Sequence, residues 1–489
     1  MGIDQAINEA FAPIARAFSE TIFFSLEVGG TDLQLIVLWL VAGATFFTLY
    51  LRFISLRGLR HALRLVRGDY ADPDDPGEVS PFEALATAIS GTIGVGNIAH
   101  VAIAISVGGP GAAFWMVVAG ALGMSSKFAE CTLGVKYRQE NADGSVSGGP
   151  MFYLDRGLTE LGRPRLGKLL AVYYAICLMV GTFGVGSMFQ SNQAYVQFVN
   201  VTGGTASFFS ERGWLFGLLL AAVVGVVIVG GIQSIARVAG KIVPFMAAIY
   251  ISSGLFVIAY HAAELPRALG LIVSEAFTPH GAAGGALGAL ILGFRRAAFS
   301  NEAGIGSSSV AHSAVRTNEP VTEGFVALLE PFIDTIIVCS ITALVITLTV
   351  YDPATPATGL SGVELTSSAF ASVIPWFPVA LAGVVMLFAY STMIAWSYYG
   401  LEAWIYHFGT APATKLAYNA VFLASVVLGC TTKLDPILDF SDAMSFAMAL
   451  ANMLGLYMLA PVVKRELDGY WARLRSGEIT PHVKKQRGA

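Results

Sequence analysis

The chain has 489 residues, of which 55% are hydrophobic and 13% are charged, and its mean hydropathy is +0.66. A soluble domain needs roughly a quarter of its residues charged, so this composition excludes a soluble globular protein. The net charge of −4 says little about binding partners. The four cysteines lie inside apolar stretches without metal-ligand spacing, so neither a disulfide framework nor a cysteine metal site is expected.

The apolar residues are gathered into long stretches. Roughly 20 such residues cross the hydrocarbon core of a bilayer as a helix, and the pattern predicts an all-α membrane protein with about 11 transmembrane helices. The predicted spans are 33–53, 82–106, 111–135, 167–199, 213–231, 241–261, 285–310, 325–350, 377–400, 415–431 and 440–462.

Lysine and arginine are concentrated in alternate loops between the predicted spans. The segments after the first, third and fifth spans and the C-terminal tail are basic, whereas 107–110 and 351–376 contain no basic residue and 200–212 contains only Arg212. Basic loops stay in the cytoplasm. An odd number of spans then places the N-terminus outside the cell (inner) membrane and the C-terminus in the cytoplasm.

Two spans are unlike plain helices. The second, near residues 90–97, has three glycines in six residues, and the seventh, near residues 293–308, combines glycines with charged residues. Each interior glycine costs a helix about 1 kcal/mol against alanine, and charged groups at membrane depth are costly. Close helix packing explains single glycines, but two clusters in corresponding positions favour functional breaks.

The two interrupted spans each open a set of five spans, 82–261 and 285–462. Because five is odd, the sets begin on opposite sides of the membrane, as in an inverted-topology repeat whose broken helices build the binding site. Three further segments complete the predicted organisation. They are an extra N-terminal helix with a basic cytoplasmic linker (1–81), an extracellular connection (262–284) and a cytoplasmic tail (463–489).

The first break predicts a ligand with two kinds of charge. A half-helix beginning after Gly96 presents free N–H groups and a positive dipole end, which suit a carboxylate. The carbonyls from Ser90 to Ile93 suit a desolvated monovalent cation. A zwitterionic amino acid together with one cation fits both ends.

Polar side chains in two other spans are candidate partners. Gln190 lies in the fourth span and either bonds a neighbouring helix or lines a cavity. In the ninth span, Ser391 and Thr392 could give hydroxyl ligands to a cation, and Trp396 shares a face with Thr392. The alternatives are hydroxyls bonded to their own helix and an interfacial tryptophan.

Ionisable residues inside the spans are functional candidates by default. Glu302 and Arg296 either serve the site or form a pair that holds the seventh span in shape. Lys127 and Glu130, three residues apart, are interpreted as a structural pair. A coupling-ion or proton role is left open for two carboxylates of the eighth span, Glu330 and Asp334.

Several blocks of this sequence resemble the alanine or glycine:cation symporter family over about residues 80 to 410. They are Ser80–Leu85, Ser90–Ala99, Gly108–Met116, Gly123–Met124 with Lys127–Glu130, Gly148–Met151 and Phe299–Ser307. The resemblance implies a LeuT-type fold of the APC superfamily, with a 5+5 inverted repeat and one extra N-terminal helix. It implies a transporter and not an enzyme, with sodium-coupled uptake of alanine or glycine.

The family pattern also assigns residues. It implies substrate contacts at Thr92, Gly94, Gly96, Gln190, Phe299, Ser300, Thr392 and Trp396. Likeness to LeuT-type sodium sites implies that the sodium ion, as coupling ion, is held by Ser90, Ile93, Ser391 and Thr392. The expected partners are a small amino acid and the lipid bilayer, without nucleic acid, and the chain is expected to function as a monomer.

Three positions depart from the family pattern. Val95 replaces a threonine beside the break, His100 stands where a glycine is usual, and Ser187 stands where an asparagine is expected. They leave open which amino acid is carried and whether sodium or a proton drives it. The alternatives are a proton-coupled transporter of the same fold and, from another class, an amino-acid sensor or ion channel that transports no substrate.

Overall fold

The computed structural model describes residues 3–28, 31–141, 144–278, 285–352, 360 and 362–481. The described chain is helical apart from its turns and two short antiparallel hairpins. These pair β1 (Ser25–Val28) with β2 (Thr31–Gln34), and β3 (Gln139–Glu140) with β4 (Val146–Ser147). Residues 279–284 of the predicted extracellular connection and 482–489 of the predicted tail lie outside the described residues.

The structure describes twelve α-helices before residue 279. They are α1 (Ile3–Ile22), α2 (Leu35–Tyr50), α3 (Ile54–Val66), α4 (Pro81–Thr92), α5 (Gly96–Gly108), α6 (Gly111–Lys136), α7 (Pro150–Glu160), α8 (Pro164–Gly181), α9 (Phe189–Val201), α10 (Gly213–Ile228), α11 (Gly231–Tyr260) and α12 (Leu265–Glu275). The π-helical segment Thr182–Met188 joins α8 to α9, and short 3₁₀ turns lie at Gly204–Ala206 and Ala262–Glu264.

Within the described residues from 285 onward, nine more α-helices follow. They are α13 (Gly285–Asn301), α14 (Ser309–His312), α15 (Pro320–Ala327), α16 (Leu329–Pro331), α17 (Ser340–Thr349), α18 (Val363–Ala371), α19 (Phe377–Phe408), α20 (Pro412–Thr431) and α21 (Leu434–Ser476). A second π-helical segment, Phe332–Cys339, joins α16 to α17.

Eight helical runs of the described chain are long and apolar enough to cross a bilayer. They are Pro81–Gly108, Gly111–Lys136, Pro164–Val201, Gly231–Tyr260, Pro320–Thr349, Phe377–Phe408, Pro412–Thr431 and Leu434–Ser476. The helices α2 and α3, bent by 74°, make a ninth if they are counted together. Two predicted spans coincide with the shorter helices α10 and α13. The count of eleven, the extra N-terminal span and the division into repeats therefore stay predictions.

The sequence pattern missed an amphipathic helix at the N-terminus. The apolar residues of α1 are spaced along one face and form no continuous run, so no membrane span was predicted there. In the structure α1 packs on α21 and α20. The rings of Phe11 and Phe18 lie 5.3 and 5.9 Å from the ring of Phe440.

The first interrupted span is the centre of the molecule. Its start is fixed by a capping box, in which Ser80 and Glu83 each bond the other's backbone N–H, and by Pro81 in the first turn. Its apolar stretch is buried on every side. Because α19 packs against α4 and α13 packs against α5, residues from the ninth and seventh predicted spans reach the break.

Candidate functional site

The first predicted break is a true interruption of the helix. The helix α4 ends at Thr92, and Ile93 leaves the helical conformation with φ −76° and ψ 85°. A new helix begins at Gly96. The N–H of Gly94 donates to Asn97 Oδ1 at 3.0 Å, so the asparagine side chain satisfies one backbone group that the break releases.

The two glycines of the break serve different purposes. A Cβ atom on Gly94 would lie 2.5 Å from Thr392 Oγ1 and 3.1 Å from Gln190 Oε1, so only glycine permits these side chains to approach the backbone. A Cβ atom on Gly96 would contact only Phe299 Cδ1, at 4.0 Å. There is therefore room beside the first turn of α5, where helix N–H groups have no intrahelical partner.

Helix α19 bonds the carbonyls at the end of α4. Thr392 Oγ1 donates to the Ser90 carbonyl at 2.9 Å, and the Ser90 hydroxyl donates to the Ser391 carbonyl at 2.6 Å. Trp396 Nε1 donates to the Gly91 carbonyl at 3.2 Å. All five residues are buried. The structure thus brings together three of the four predicted cation ligands, and Trp396 lies beside them.

Two of the predicted hydroxyls bond their own helices in this conformation. Ser391 Oγ donates to the Phe388 carbonyl at 3.0 Å. Thr92 Oγ1 lies 3.3 Å from the Ala88 carbonyl. Neither hydroxyl contacts the other predicted ligands, so their recruitment requires a change of rotamer.

Gln190 reaches the break from the opposite side. Its Oε1 accepts the N–H of Val95 at 3.2 Å, and its Nε2 donates to the Val185 carbonyl at 3.2 Å. The π-helical segment Thr182–Met188 lies just before it in the chain. Interruptions of this kind are frequent at functional sites because they displace a side chain from the regular helix face.

The second predicted break lies between α13 and α14. Three residues there have left-handed backbone: Glu302 with φ 57°, Gly304 with φ 86° and Gly306 with φ 90°. This conformation is strained for glutamate, and such strain clusters at functional sites. The amide of Asn452 donates to the carbonyl of Gly304 at 2.9 Å and satisfies part of the released backbone.

The buried carboxylate of Asp334, for which the sequence leaves a coupling-ion or proton role open, connects the two breaks. Asp334 accepts hydrogen bonds from Asn97 Nδ2 at 2.6 Å, Ser300 Oγ at 2.8 Å and Thr335 Oγ1 at 2.7 Å. These donors are neutral, and a buried carboxylate is costly unless a cation or a proton compensates it. Asn97 therefore joins Asp334 as a candidate for holding a cation.

Phe299, the predicted aromatic contact, packs against a departure from the family pattern. Its ring centroid lies 4.0 Å from that of His100 and 5.6 Å from that of Phe189. His100 is fully buried, and within the described structure neither of its ring nitrogens has a hydrogen-bond partner.

The interpretation of Lys127 and Glu130 as a mutual pair is wrong. Lys127 Nζ lies 2.9 Å from Glu330 Oε2, with both side chains fully buried. Glu130 Oε1 instead accepts from Asn452 Nδ2 at 2.8 Å. A spacing of three residues places Lys127 and Glu130 on one face of α6. In the structure, however, Lys127 forms its ion pair with Glu330, which lies in the helical run Pro320–Thr349.

Arg296 and Glu302 do not pair with each other either. Arg296 Nη2 lies 3.1 Å from Asp442 Oδ2, and Arg295 Nη2 lies 2.8 Å from the same oxygen. Glu302 bonds the hydroxyl of Ser307 across the second break. The arginines therefore join α13 to α21, whereas the glutamate holds the break itself.

The assembled site offers carbonyls, hydroxyls, amides and one aromatic wall. In the part of the chain that the structure describes, no group of three His, Cys, Asp or Glu side chains could hold a metal ion. Neutral oxygen ligands suit an alkali cation, and the open helix N-terminus suits a carboxylate. This chemistry binds ligands without transforming them.

Comparison with known proteins decides the family. The model of the sodium:alanine symporter family matches residues 21–485. The chain belongs to this family. It is 38% identical, over 88% of its length and 93% of the relative's, to the sodium/alanine symporter AgcS of Methanococcus maripaludis. It is 34% identical, over 91% and 89%, to the probable sodium/glutamine symporter GlnT of Bacillus subtilis.

A solved structure supports the predicted fold. The crystal structure of MhsT in complex with L-phenylalanine matches with a TM-score of 0.57 at 14% identity, covering 78% of this chain and 89% of that one. At this identity the likeness concerns the fold alone, and it is the LeuT-type fold. The resemblance stated from the sequence is confirmed: this member of the sodium:alanine symporter family is a multi-pass membrane transporter and not an enzyme.

Proposed function

We propose that the chain is a sodium-coupled symporter that imports a small amino acid, alanine or glycine, by alternating access. The observation that carries this proposal is the meeting of α19 and α9 at the first break, where Thr392 donates to Ser90 and Gln190 accepts from Val95. Sodium replaces the hydrogen bond between Thr392 and the Ser90 carbonyl, and the substrate carboxylate binds the open N–H groups at the start of α5.

The sodium site is assigned to the carbonyls of Ser90 and Ile93 with the hydroxyls of Ser391 and Thr392. Two of these atoms, the Thr392 hydroxyl and the Ser90 carbonyl, already lie 2.9 Å apart, so this part of the site is arranged for a cation, whereas the Ser391 hydroxyl must change rotamer. A pre-arranged site costs less binding free energy than one that must be assembled.

The substrate is assigned to the space beside Gly96. Phe299 bounds this space, Gln190 stands at the neighbouring N–H, and Trp396 packs against the same backbone from α19. The remaining assigned contacts are Thr92, Gly94, Ser300 and Thr392. The relative AgcS is named for alanine and GlnT for glutamine. A small amino acid is preferred here because buried residues enclose the space beside Gly96.

The protein works as a monomer in the cell membrane, with the N-terminus outside and the C-terminus in the cytoplasm. The basic loops support this orientation. In the transport cycle, sodium stabilises a substrate-competent state, and one helix bundle then rocks against the other around the fixed site.

Proton coupling is the second candidate mechanism. Glu130 is fully buried, its Oε2 has no hydrogen-bond partner in the described structure, and the nearby lysine is bonded to Glu330. Such a carboxyl group requires a proton or a cation.

A thermal-shift screen of amino acids in sodium, lithium and potassium tests the proposal. A ligand at 100 times its Kd stabilises the native state by about 2.7 kcal/mol, so alanine or glycine should raise Tm only when sodium is present. Equal stabilisation in potassium would contradict sodium coupling and favour the proton mechanism. No stabilisation by any amino acid would contradict both.

A further inference from the structure

A polar cavity of about 430 Å³ lies beyond the cation-binding half of the site. It is bounded by the C-terminal half of α19, the start of α11 and the β3–β4 hairpin. Its polar lining includes Glu78, Asn141, Ser147, Glu402 and Lys415. The hairpin belongs to the basic connection after α6, so the cavity opens on the side that the loops predict to be cytoplasmic.

Among the charged residues that line this cavity, Glu402 is the buried one. It is only 7% exposed, and its Oε2 has no hydrogen-bond partner within the described structure. Ser147 lines the cavity beside it. Glu78 Oε1 already accepts the N–H of Val146 at 3.1 Å. A buried carboxylate with an unsatisfied oxygen, in a space large enough for water, attracts a cation.

Helix α19 connects this cavity to the assigned sodium site. It carries Thr392, and Glu402 follows ten residues later, which is about 15 Å along a helix axis. Tyr399 lies between them. It is fully buried, its hydroxyl has no partner in the described structure, and a Cβ atom on Gly91 would lie 2.8 Å from that oxygen. Two buried polar atoms without a hydrogen-bond partner in the described structure, the Tyr399 hydroxyl and Glu402 Oε2, therefore lie along α19 from the first break to the cavity.

The volume of the cavity matches a hydrated ion. A water molecule occupies about 30 Å³ in the liquid, so the cavity has room for on the order of ten waters. An alkali ion that leaves carbonyl and hydroxyl ligands must regain its hydration shell before it reaches bulk water. Lys415 is an exposed residue at the rim of the cavity. Its positive charge repels an alkali ion and so opposes retention of the ion in the cavity.

We propose that this cavity is a cytoplasmic release vestibule, in which the Glu402 carboxylate holds a hydrated monovalent cation between the Ser90–Thr392 site and the cytoplasm. The inference rests on the proposed function, because it assumes that sodium leaves on this side. It assigns Glu402 to cation release and not to substrate recognition.

Right-side-out proteoliposomes test the vestibule. Uptake of labelled alanine is driven by external sodium while sodium inside the lumen is raised stepwise, so that luminal sodium inhibits release. Glu402→Gln keeps a hydrogen-bonding side chain but removes the charge. The concentration of luminal sodium that halves uptake should rise about fivefold, while the dependence on external sodium stays unchanged. Lys415→Gln should lower that concentration.

Glu140→Gln is the matched control. It removes a carboxylate from the β3–β4 hairpin that borders the cavity, but one that is exposed and does not line the cavity. Wild-type uptake with identical luminal inhibition in Glu402→Gln and Lys415→Gln would overturn the vestibule alone. If Glu402→Gln does not fold, the vestibule is tested by Lys415→Gln, a change at an exposed position, through the luminal sodium concentration that halves uptake. Absence of sodium-driven uptake in the wild type would instead overturn the proposed function.

Discussion

Thr392 and Gln190 each bond a backbone atom of the first break, one a carbonyl and the other an N–H group. In a sealed interior, the loss of a partner leaves such a group unsatisfied at a cost of about 1–3 kcal/mol. The first atom is the Ser90 carbonyl, which we assign to sodium, and the second is the Val95 N–H, next to the open N–H groups that we assign to the substrate carboxylate. Both hydrogen bonds therefore hold the break in one conformation around the proposed sites.

Replacing Thr392 by valine removes the hydroxyl with little change of shape. We expect the sodium concentration for half-maximal thermal stabilisation, measured with saturating alanine, to rise at least about tenfold, which corresponds to about 1.4 kcal/mol. Thr347→Val is the matched control, since that hydroxyl only bonds the Ala343 carbonyl of its own helix. An unchanged sodium dependence in Thr392→Val would remove this residue from the sodium site.

Gln190→Ala should weaken alanine binding about tenfold or more, because Val95 loses its acceptor and the cavity loses a polar wall. Equilibrium binding of labelled alanine at saturating sodium measures this. Gln197→Ala, on the same helix, is the control, because its amide bonds Ser367 and the Pro378 carbonyl away from the break. Equal affinities in wild type and Gln190→Ala would exclude the glutamine from the site.

Among the elements, α6 offers a test of what a buried ion pair contributes to stability. It carries two lysines that are each paired with a glutamate. Lys127 is fully buried against Glu330, whereas the side chain of Lys136 is 24% exposed beside Glu466. Breaking a buried pair leaves an uncompensated charge and costs about 3–5 kcal/mol, whereas a surface pair contributes about 0–1 kcal/mol.

Lys127→Met should therefore lower the Tm of the purified protein far more than Lys136→Met. The comparison is made in one detergent by following unfolding with a thiol-reactive or tryptophan fluorescence signal. Equal Tm values for the two variants would contradict a structural role for the buried pair. Glu330 would then be free to serve another purpose, such as binding a proton.

The elements differ in how far their sequence predicts them. Glycine clusters indicated both breaks, because glycine is costly in a membrane helix and the cost is local. The positive φ angles of Gly304 and Gly306 agree with that reasoning. The contact of Asn97 with Asp334 was not predictable, because 237 positions separate the two residues and no periodic pattern links them.

At the scale of the whole molecule, hydropathy predicted the helical membrane fold, and the family resemblance predicted Gln190, Thr392 and Trp396 as partners of the first break. Hydropathy could not predict α1, whose apolar residues share one face without forming a run. It also could not choose between Glu130 and Glu330 as the partner of Lys127, because helical spacing reports neighbours on one helix and not contacts between helices.

The measurement that tests the account most directly is uptake of labelled alanine by proteoliposomes under an inward sodium gradient. The account predicts transient accumulation above equilibrium that disappears when potassium replaces sodium, when an ionophore abolishes the gradient, or in Thr392→Val. Accumulation that is driven equally well by a pH gradient without sodium, or labelled alanine that only equilibrates across the membrane, would contradict it.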